Sequence, residues 1–258
     1  MARPGASPLS LNLQLDLANN PDSVTGTVTD GTWISQFTGG RAASGSVAAG
    51  EYTLVFAGDE ASGSGDGFGT ATVDARGGVK FKGVLADGTK INQKANLYGD
   101  GQWPFYSPLY KGGGSIVSLI TFAEGTPATL GGDANWTKTG GSAGFIHSPT
   151  VIGSRYTPPA KGGSAIGTSS ATVTLRGGDL SVPVVNDASL DAGKIVTTGP
   201  GQVKLSIKAS SGLLNGSFVH PGTNAKTAIN GVVLQEQNSA RGYFLGPNQS
   251  GSVLLEAN

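Results

Sequence analysis

An alternating pattern stands near the start of the chain, in the segment Leu9-Ser10-Leu11-Asn12-Leu13-Gln14-Leu15-Asp16-Leu17. Five leucines alternate there with polar residues, and a period of two is typical of a β-strand with one buried face. In a helix the same leucines would be scattered around the whole circumference. The segment therefore predicts a half-buried strand.

Similar patterns recur along the chain at spacings of roughly 10 residues, and no window of a dozen residues shows the 3.6-residue period of a helix. We predict eleven further strands, over residues 24–29, 50–57, 69–75, 79–86, 91–97, 115–122, 171–175, 202–209, 213–220, 228–235 and 251–255. Asp-Gly pairs at 30–31, 66–67, 87–88 and 100–101 are typical of type I′ hairpin turns. The fold class is all-β, a sandwich or barrel rather than βαβ units.

Two parts of the chain resemble each other. Residues 79–85 match 212–218 at an offset of 133, and after a three-residue insertion residues 114–119 match 250–255 at an offset of 136. We predict two similar antiparallel up-and-down β-barrel-like lobes from an internal duplication. The first lobe is assigned to 1–156, a Pro/Gly/Ser linker to 157–170 and the second lobe to 171–258. The strand at 9–17 is expected to pair with either lobe.

Composition limits the partners. Lys+Arg and Asp+Glu both number 17, so the net charge is zero, and nucleic acid is not an expected partner because phosphate binding needs a concentrated basic face. No segment approaches the 18 apolar residues of a membrane helix, and the strands lack an outward apolar band with aromatic girdles, so we expect no membrane insertion. Without cysteine, and with two histidines far apart in sequence, we expect no metal and no cofactor.

The aromatic segment 103–106, with the tyrosine at 110, is the best ligand-site candidate. Flat rings stack on sugar faces, and neighbouring polar groups bond hydroxyls. The predicted ligand residues are Trp103, Tyr106, Tyr110, Asp100 and Gln102. In the alternative interpretation, Trp103 and Phe105 plug the end of a barrel. Trp33 and Trp136 carry the same ambiguity, with the core favoured.

Carboxylates offer a second kind of chemistry, because a glycosidase needs two of them about 5–10 Å apart. The candidates are Asp66, Asp87, Asp100 and Glu124. If the chain is an enzyme, we expect a hydrolase acting on glycosides, with Asp66, Asp87 or Asp100 as catalytic residues. The alternative is structural, since aspartate is favoured in Asp-Gly turns for backbone reasons alone.

Three weaker motifs carry little chemistry. The G-x-S-x-G match at 140–144 lacks the strand–turn–helix context of a nucleophile elbow, and His147 follows its serine too closely for the usual triad order. Residues 62–67 hold too few carboxylates for a calcium loop. His220 precedes Pro221 and is expected to be a solvated histidine at a hairpin tip.

Several motifs occur together, among them Gly65-Asp66-Gly67-Phe68-Gly69, Asp100-Gly101-Gln102-Trp103-Pro104-Phe105-Tyr106, Gly153-Ser154-Arg155-Tyr156-Thr157-Pro158-Pro159 and Ser217-Phe218-Val219-His220-Pro221. As a set they resemble an uncharacterised all-β domain near the C-terminus of large exported proteins of verrucomicrobia, planctomycetes and related soil bacteria. The resemblance covers about residues 26–255. It implies a secreted or cell-surface location and a modular parent protein, and it brings no activity with it. Residues 1–5 lack the apolar core of a signal peptide, so if the protein is exported we expect its signal to have been trimmed or to lie further upstream.

Three functions stay open at this point. The first is a non-catalytic β module of an exported bacterial protein that binds carbohydrate or a surface polymer. The second is a carboxylate-dependent, glycosidase-like hydrolase. The third is a structural spacer or adhesion unit with no small ligand. The expected partner is a polysaccharide or cell-surface polymer, and the sequence gives no oligomeric state.

Overall fold

The computed structural model describes residues 5–18, 20–46, 48–59, 63–123, 129–139, 144–191 and 193–258. Within these ranges the chain forms twenty strands in three antiparallel sheets and two short 3-10 turns, at Tyr110–Gly112 and Pro200–Gln202. The all-β prediction is confirmed. In the part of the chain that the structure describes, no helix has the length and apolar character needed to cross a membrane.

The first barrel is an up-and-down meander in the order β7-β6-β5-β4-β12-β10-β9-β8. Its strands are β4 (Gly50–Phe56), β5 (Gly67–Val73), β6 (Gly78–Val84), β7 (Lys90–Asn96), β8 (Gln102–Leu109), β9 (Gly114–Ala123), β10 (Thr129–Lys138), β11 (Phe145–His147), which pairs with β10, and β12 (Thr150–Arg155). Its first and last strands, β4 and β12, pair with each other. The seam between β7 and β8 is bridged by the Gln93 amide, which accepts from Trp103 Nε1 at 2.9 Å and donates to the Pro104 carbonyl at 2.8 Å.

The second barrel follows the same plan in the order β15-β14-β13-β20-β19-β18-β17-β16. Its strands are β13 (Ser170–Gly177), β14 (Val184–Asp191), β15 (Lys194–Thr198), β16 (Lys204–Lys208), β17 (Leu213–His220), β18 (Ala225–Leu234), β19 (Ser239–Leu245) and β20 (Ser250–Ala257). The closing pair is β13 with β20. At the seam between β15 and β16, the Thr197 hydroxyl donates to the Val203 carbonyl.

Two similar, nearly closed barrels are therefore present, as predicted. The 133-residue offset matches β6, the third strand of its barrel, with β17, the fifth strand of the other. The seams also differ in position. In the first barrel the seam follows the fourth strand, β7, and in the second barrel it follows the third strand, β15. The matched motifs thus occupy different positions around the two rings.

Glycines make room for aromatic rings inside each barrel. A Cβ on Gly69 would lie 2.3 Å from the Phe81 ring, and one on Gly251 would lie 2.2 Å from the Phe244 ring. Both rings are almost fully buried. A methyl group at either glycine would displace a core side chain, which gives one physical reason for the high glycine content.

The two barrels pack against each other through a third apolar cluster. Its buried members are Val55, Phe68, Val232, Leu234 and Tyr243. Polar contacts join the same surfaces, because the Thr53 hydroxyl donates to the Val233 carbonyl at 2.5 Å and the Gln235 amide donates to the Ser154 hydroxyl at 2.9 Å. Each barrel thus has its own core, and a separate apolar layer holds them together.

The segment between β12 and β13 lies against the second barrel. Ile166 is fully buried in that barrel's core cluster. The Gln235 side chain accepts from the Thr157 amide at 2.7 Å and donates to the Ala165 carbonyl at 3.3 Å. The Gly167 amide donates to Asn238 Oδ1 at 2.7 Å. These contacts anchor a segment whose composition is that of a linker.

The N-terminal strand joins neither barrel, which corrects the expected pairing. It forms a separate sheet in the order β1 (Ser10–Asp16), β2 (Asn20–Thr29) and β3 (Ile34–Gly40). A bridge between Ala42 and Tyr98 links the end of this sheet to the first barrel. The prediction of a half-buried strand is also wrong, because Leu11, Leu13 and Leu15 are 49%, 61% and 62% exposed. Alternation determines which face of a strand is apolar, but not whether another layer covers that face.

The type I′ turns are a second correction. Such a turn needs a positive φ at both central residues, but only the glycine has one at Gly31 (92°), Gly88 (84°) and Gly101 (82°). Each preceding aspartate accepts a hydrogen bond from the amide two residues later, from Thr32 at 3.1 Å, Thr89 at 2.9 Å and Gln102 at 3.1 Å. The fourth pair is not a turn, because Gly67 begins β5.

The strands that the pattern did not predict are β3, β8, β10, β11, β12, β14, β15 and β19. Two cases show why. Strand β10 carries two central glycines and an aspartate, residues that disfavour strands, and it is held between β9 and β12. Strand β14 alternates buried and exposed residues, but one of its inward residues is Asn186, so no apolar period of two is visible.

Candidate functional site

An open cavity of about 430 Å³ lies at the end of the first barrel where β4 finishes and β12 begins. Its wall includes Asp59, Asp87, Trp136, Phe145 and His147, and the second barrel contributes Ser250. Its wall combines a cluster of aromatic rings with two carboxylates, Asp59 and Asp87. We call Asp87, Tyr110, Trp136, Phe145 and His147 the Trp136 site.

The aromatic wall is built by the pairing of β10 with β11. Trp136 lies opposite His147, and Lys138 lies opposite Phe145, so all four side chains share one face of the sheet. The Phe145 ring stands perpendicular to Trp136 at 4.9 Å between centroids and lies 4.9 Å from His147. Trp136 is buried, Phe145 is half-buried and His147 is exposed, so the last two form the accessible part of the wall.

A chain of hydrogen bonds links this wall to a carboxylate. Trp136 Nε1 donates to the Tyr110 hydroxyl at 3.0 Å, and that hydroxyl donates to Asp87 Oδ2 at 2.6 Å. Burial first, and then the hydrogen bond to Asp87, raise the pKa of Tyr110 well above its ordinary value. The hydroxyl therefore stays protonated around neutral pH and holds the Asp87 carboxylate in place.

Tyr110 reaches this position through an unusual backbone. It has a φ of +52° in the 3-10 turn after β8, a region that non-glycine residues seldom occupy. Its ring lies against the backbone at Gly114, where a Cβ would be 2.8 Å from Tyr110 Cδ2. The Lys138 ammonium lies 4.9 Å from the centre of the ring, close enough for a cation–π contact.

The predicted ligand residues separate into four places. Trp103 is 0% exposed in the core, so the alternative interpretation, in which Trp103 and Phe105 fill the barrel, describes the structure. Tyr106 points outward and is 55% exposed, because side chains alternate along β8. Tyr110 alone of the five belongs to the Trp136 site.

The other two ligand candidates are neighbours, with Asp100 in the turn after β7 and Gln102 at the start of β8. Asp100 Oδ1 accepts from the Gln102 amide at 3.1 Å. Asp100 lines a second cavity, of about 750 Å³, whose floor includes Tyr52 and Phe122. Tyr52 is near the start of β4, whereas Phe56, at the end of β4, lines the cavity at the Trp136 site. The two cavities therefore open at opposite ends of the first barrel.

The three predicted catalytic carboxylates do not share a cavity. Asp87 lines the cavity at the Trp136 site, Asp100 lines the one at the opposite end, and Asp66 lines a third, between the barrels. Asp66 is buried and forms an ion pair with Arg241. The fourth candidate, Glu124, lies outside the described residues, as do residues 140–143 of the G-x-S-x-G match and residue 62 of the calcium-loop match.

The histidines also differ from expectation. His220 is not a solvated turn residue; it is 1% exposed, with Nε2 2.9 Å from the Gly178 carbonyl and Nδ1 accepting from the Gly222 amide at 3.2 Å. His147 lies in the Trp136 site. Among the described residues no group of three or more His, Asp or Glu side chains is placed to hold a metal ion.

Four residues of this cavity wall were not among the predicted ligand or catalytic residues, namely Asp59, Trp136, Phe145 and His147. The core position favoured for Trp136 is confirmed, because Trp136 is buried in the core cluster of the first barrel; it also lines the cavity. Phe145 and His147 lie on a three-residue strand, too short for alternation to be visible. Their meeting with Asp87, nearly 60 residues earlier in the sequence, depends on barrel closure, which no local pattern encodes.

No protein-family model matches the chain, and no curated protein matches it. Among solved structures, the chain is similar to a double mutant of the vaccine antigen transferrin binding protein B from Haemophilus parasuis Hp5, at 12% identity and a TM-score of 0.28. The match covers 98% of this chain and 66% of that one. The all-β architecture is given by the pairing of the strands.

Proposed function

We propose that this chain is a non-catalytic β module of an exported bacterial protein and that it binds carbohydrate at the Trp136 site. The observation that carries the proposal is an accessible aromatic wall beside a hydrogen-bonded carboxylate in an open cavity. The sequence motifs that resemble a domain of large exported bacterial proteins support the cellular setting.

The chemistry of a sugar ring fits this arrangement. One face of a pyranose presents C–H groups, which pack against aromatic rings such as Phe145 and His147. Its hydroxyl groups need charged or polar partners, and Asp87 supplies a carboxylate oriented by the Thr89 amide and the Tyr110 hydroxyl. A cavity of about 430 Å³ lies within the usual size range of small-ligand sites.

The separation of Asp66, Asp87 and Asp100 into different cavities supports binding rather than hydrolysis, because no two of these carboxylates face each other across one cavity. One observation favours the hydrolase as a second candidate. Asp59 and Asp87 both line the cavity at the Trp136 site, and a pair of carboxylates is what glycoside hydrolysis requires. The experiment below separates the two functions.

The test incubates the purified chain with soluble and insoluble polysaccharides and measures, in the same samples, protein depletion and released reducing ends. For a polysaccharide that is bound, we expect Phe145→Ala to weaken binding about tenfold, the equivalent of ~1.4 kcal/mol. The matched control is Tyr106→Ala, which removes an exposed ring on the outer face of β8. The control should bind like the wild type, and both variants should unfold cooperatively.

Three results would contradict the proposal. If the wild type released reducing ends and both Asp59→Asn and Asp87→Asn lost that release, the hydrolase would be established. Equal loss of binding in Tyr106→Ala and Phe145→Ala would exclude the Trp136 site as the specific contact. No depletion with any polysaccharide would favour the structural spacer.

A further inference from the structure

The three-stranded sheet β1–β3 has one apolar and one polar face. The register places Leu11 opposite Val28, Leu13 opposite Gly26 and Leu15 opposite Val24. Phe37 lies opposite Gly26 on the other side, so the leucines, valines and phenylalanine share a face. The reverse face carries Asn12 and Gln14 beside the threonines of β2, with Ile34 as an apolar residue opposite Thr29 at its end. Leu11, Leu13 and Leu15 are each about half exposed or more. A row of exposed leucines is unusual on a surface that contacts water.

Strand β1 is also at the edge of its sheet. Among the described strands it pairs with β2 alone. The stretch from Leu11 to Leu15 therefore directs half of its backbone N–H and C=O groups away from β2. Natural edge strands are commonly protected by lysine, proline or a bulge. Between residues 9 and 15 the chain has neither lysine nor proline, and the first irregularity in the β1–β2 register lies between Leu15 and Asp16.

The sequence of this edge is complementary to itself. If two copies of β1 run antiparallel with Leu13 on the two-fold axis, Leu13 faces Leu13 of the partner subunit. Leu11 then faces Leu15 of the partner subunit, and Asn12 faces Gln14 of the partner subunit. Every apolar residue meets an apolar one and every amide meets an amide. No charged residue lies from Ser10 to Leu15, so the two strands approach without like-charge repulsion.

We propose that β1 is a homodimerisation strand, through which a second copy of this chain extends the three-stranded sheet into a continuous six-stranded one. The pairing is isologous, as a two-fold dimer requires. It satisfies the outward backbone groups of Leu11 to Leu15 and makes the two leucine stripes continuous across the axis. The inference concerns a surface away from the Trp136 site and does not depend on carbohydrate binding.

The absence of native cysteine allows a direct test by disulfide trapping of the intact chain. Directly opposed residues on antiparallel strands have Cα atoms about 4.5–5.5 Å apart, within the span of a disulfide. Leu13→Cys alone should therefore form a covalent dimer under mild oxidation. Leu11→Cys alone should not, because its copy lies four residues along the strand, about 13 Å away. An equimolar mixture of Leu11→Cys and Leu15→Cys should crosslink.

Sedimentation velocity supplies a second measurement without cysteine. The wild-type chain should show a monomer–dimer equilibrium, and Leu13→Lys, which opposes two ammonium groups at the axis, should raise the dissociation constant at least tenfold. The control Val185→Lys places the same charge at an exposed apolar residue of the second barrel and should leave the equilibrium unchanged. A wild-type chain that stays monomeric, or crosslinking of Leu11→Cys as readily as Leu13→Cys, would overturn the proposal and leave the edge to a strand of another protein.

Discussion

The Asp66 carboxylate and the Arg241 guanidinium form an ion pair between the two barrels, with Arg241 Nε 2.8 Å from Asp66 Oδ2. Asp66 Oδ1 also accepts the Gly58 amide at 2.7 Å. Asp66 directly precedes β5 in the first barrel, and Arg241 lies on β19 in the second. The carboxylate is buried and Arg241 is mostly buried, so this pair connects the barrels in an environment that water screens poorly.

Removing one partner should therefore destabilise the chain strongly. We expect Arg241→Ala to lower the free energy of unfolding by about 3–5 kcal/mol, because the Asp66 carboxylate would stay buried without its cation. The double variant Asp66→Asn with Arg241→Leu should recover part of this loss, since no charge remains buried. Urea unfolding followed by tryptophan fluorescence measures both. A loss below about 1 kcal/mol in Arg241→Ala would show that the pair behaves like an exposed salt bridge.

Trp103 is a core residue, so its removal should reduce the stability of the fold, whereas removal of an exposed ligand-stacking ring should reduce binding alone. It contacts Phe81 and Phe105 in the barrel core, and its indole nitrogen donates to Gln93. Trp103→Ala should lower the free energy of unfolding by about 3–5 kcal/mol. Tyr106→Ala, three residues further along β8 and exposed, should change it by less than about 0.5 kcal/mol. Chemical denaturation of the two variants makes the comparison, and similar small losses in both would place Trp103 outside the core.

The same strand shows what the sequence can and cannot predict. A period of two correctly predicted most of the long strands, because one face of each packs inside a barrel. In β8, Trp103 and Tyr106 belong to one aromatic segment, and only the register of the strand decides that the first ring is buried and the second exposed. The leucines of β1 show the converse, since their pattern is that of a buried face but no described layer covers them.

The Trp136 site was harder to predict for a topological reason. Its residues come from the β6–β7 turn, the 3-10 turn after β8, strand β10 and strand β11. They meet because the meander curves into a barrel, so the contacts join positions far apart in sequence. The Asp-Gly turn at residue 87 was visible in the sequence, but its hydrogen bond to Tyr110 was not.

His220 gives a test of burial inside the second barrel. Its two ring nitrogens form hydrogen bonds with the Gly178 carbonyl and the Gly222 amide. The centroid of its ring lies 5.8 Å from that of Phe218 and 6.3 Å from that of Phe244. His220→Phe keeps a ring but leaves both backbone groups without a partner, so we expect a loss of about 1–3 kcal/mol. His220→Ala also removes packing and should cost more. Thermal unfolding would rule out the buried placement if both variants melted with the wild type.

Asp74 should make stability depend on pH in the acid range. Hydrogen bonds from the Gly78 amide, and next from the Arg76 amide, hold the pKa of Asp74 below its ordinary value. A carboxyl whose pKa is lower in the folded state contributes stability that is fully present above its unfolded pKa of about 3.9. That contribution is lost as pH falls through the folded pKa, because the unfolded chain takes up the proton first.

Asp74→Asn removes the titration and the charge but keeps a side-chain oxygen in the place of Oδ1, which accepts both amides in the wild type. The melting temperature of the wild type should therefore exceed that of Asp74→Asn by a constant amount between about pH 5 and 7, and the gap should shrink as pH falls below about 4. Melting curves collected across this range, with an NMR titration of the Asp74 carboxyl, measure both quantities. A gap that stays constant or widens toward low pH would mean that the two amides do not stabilise the charged carboxylate.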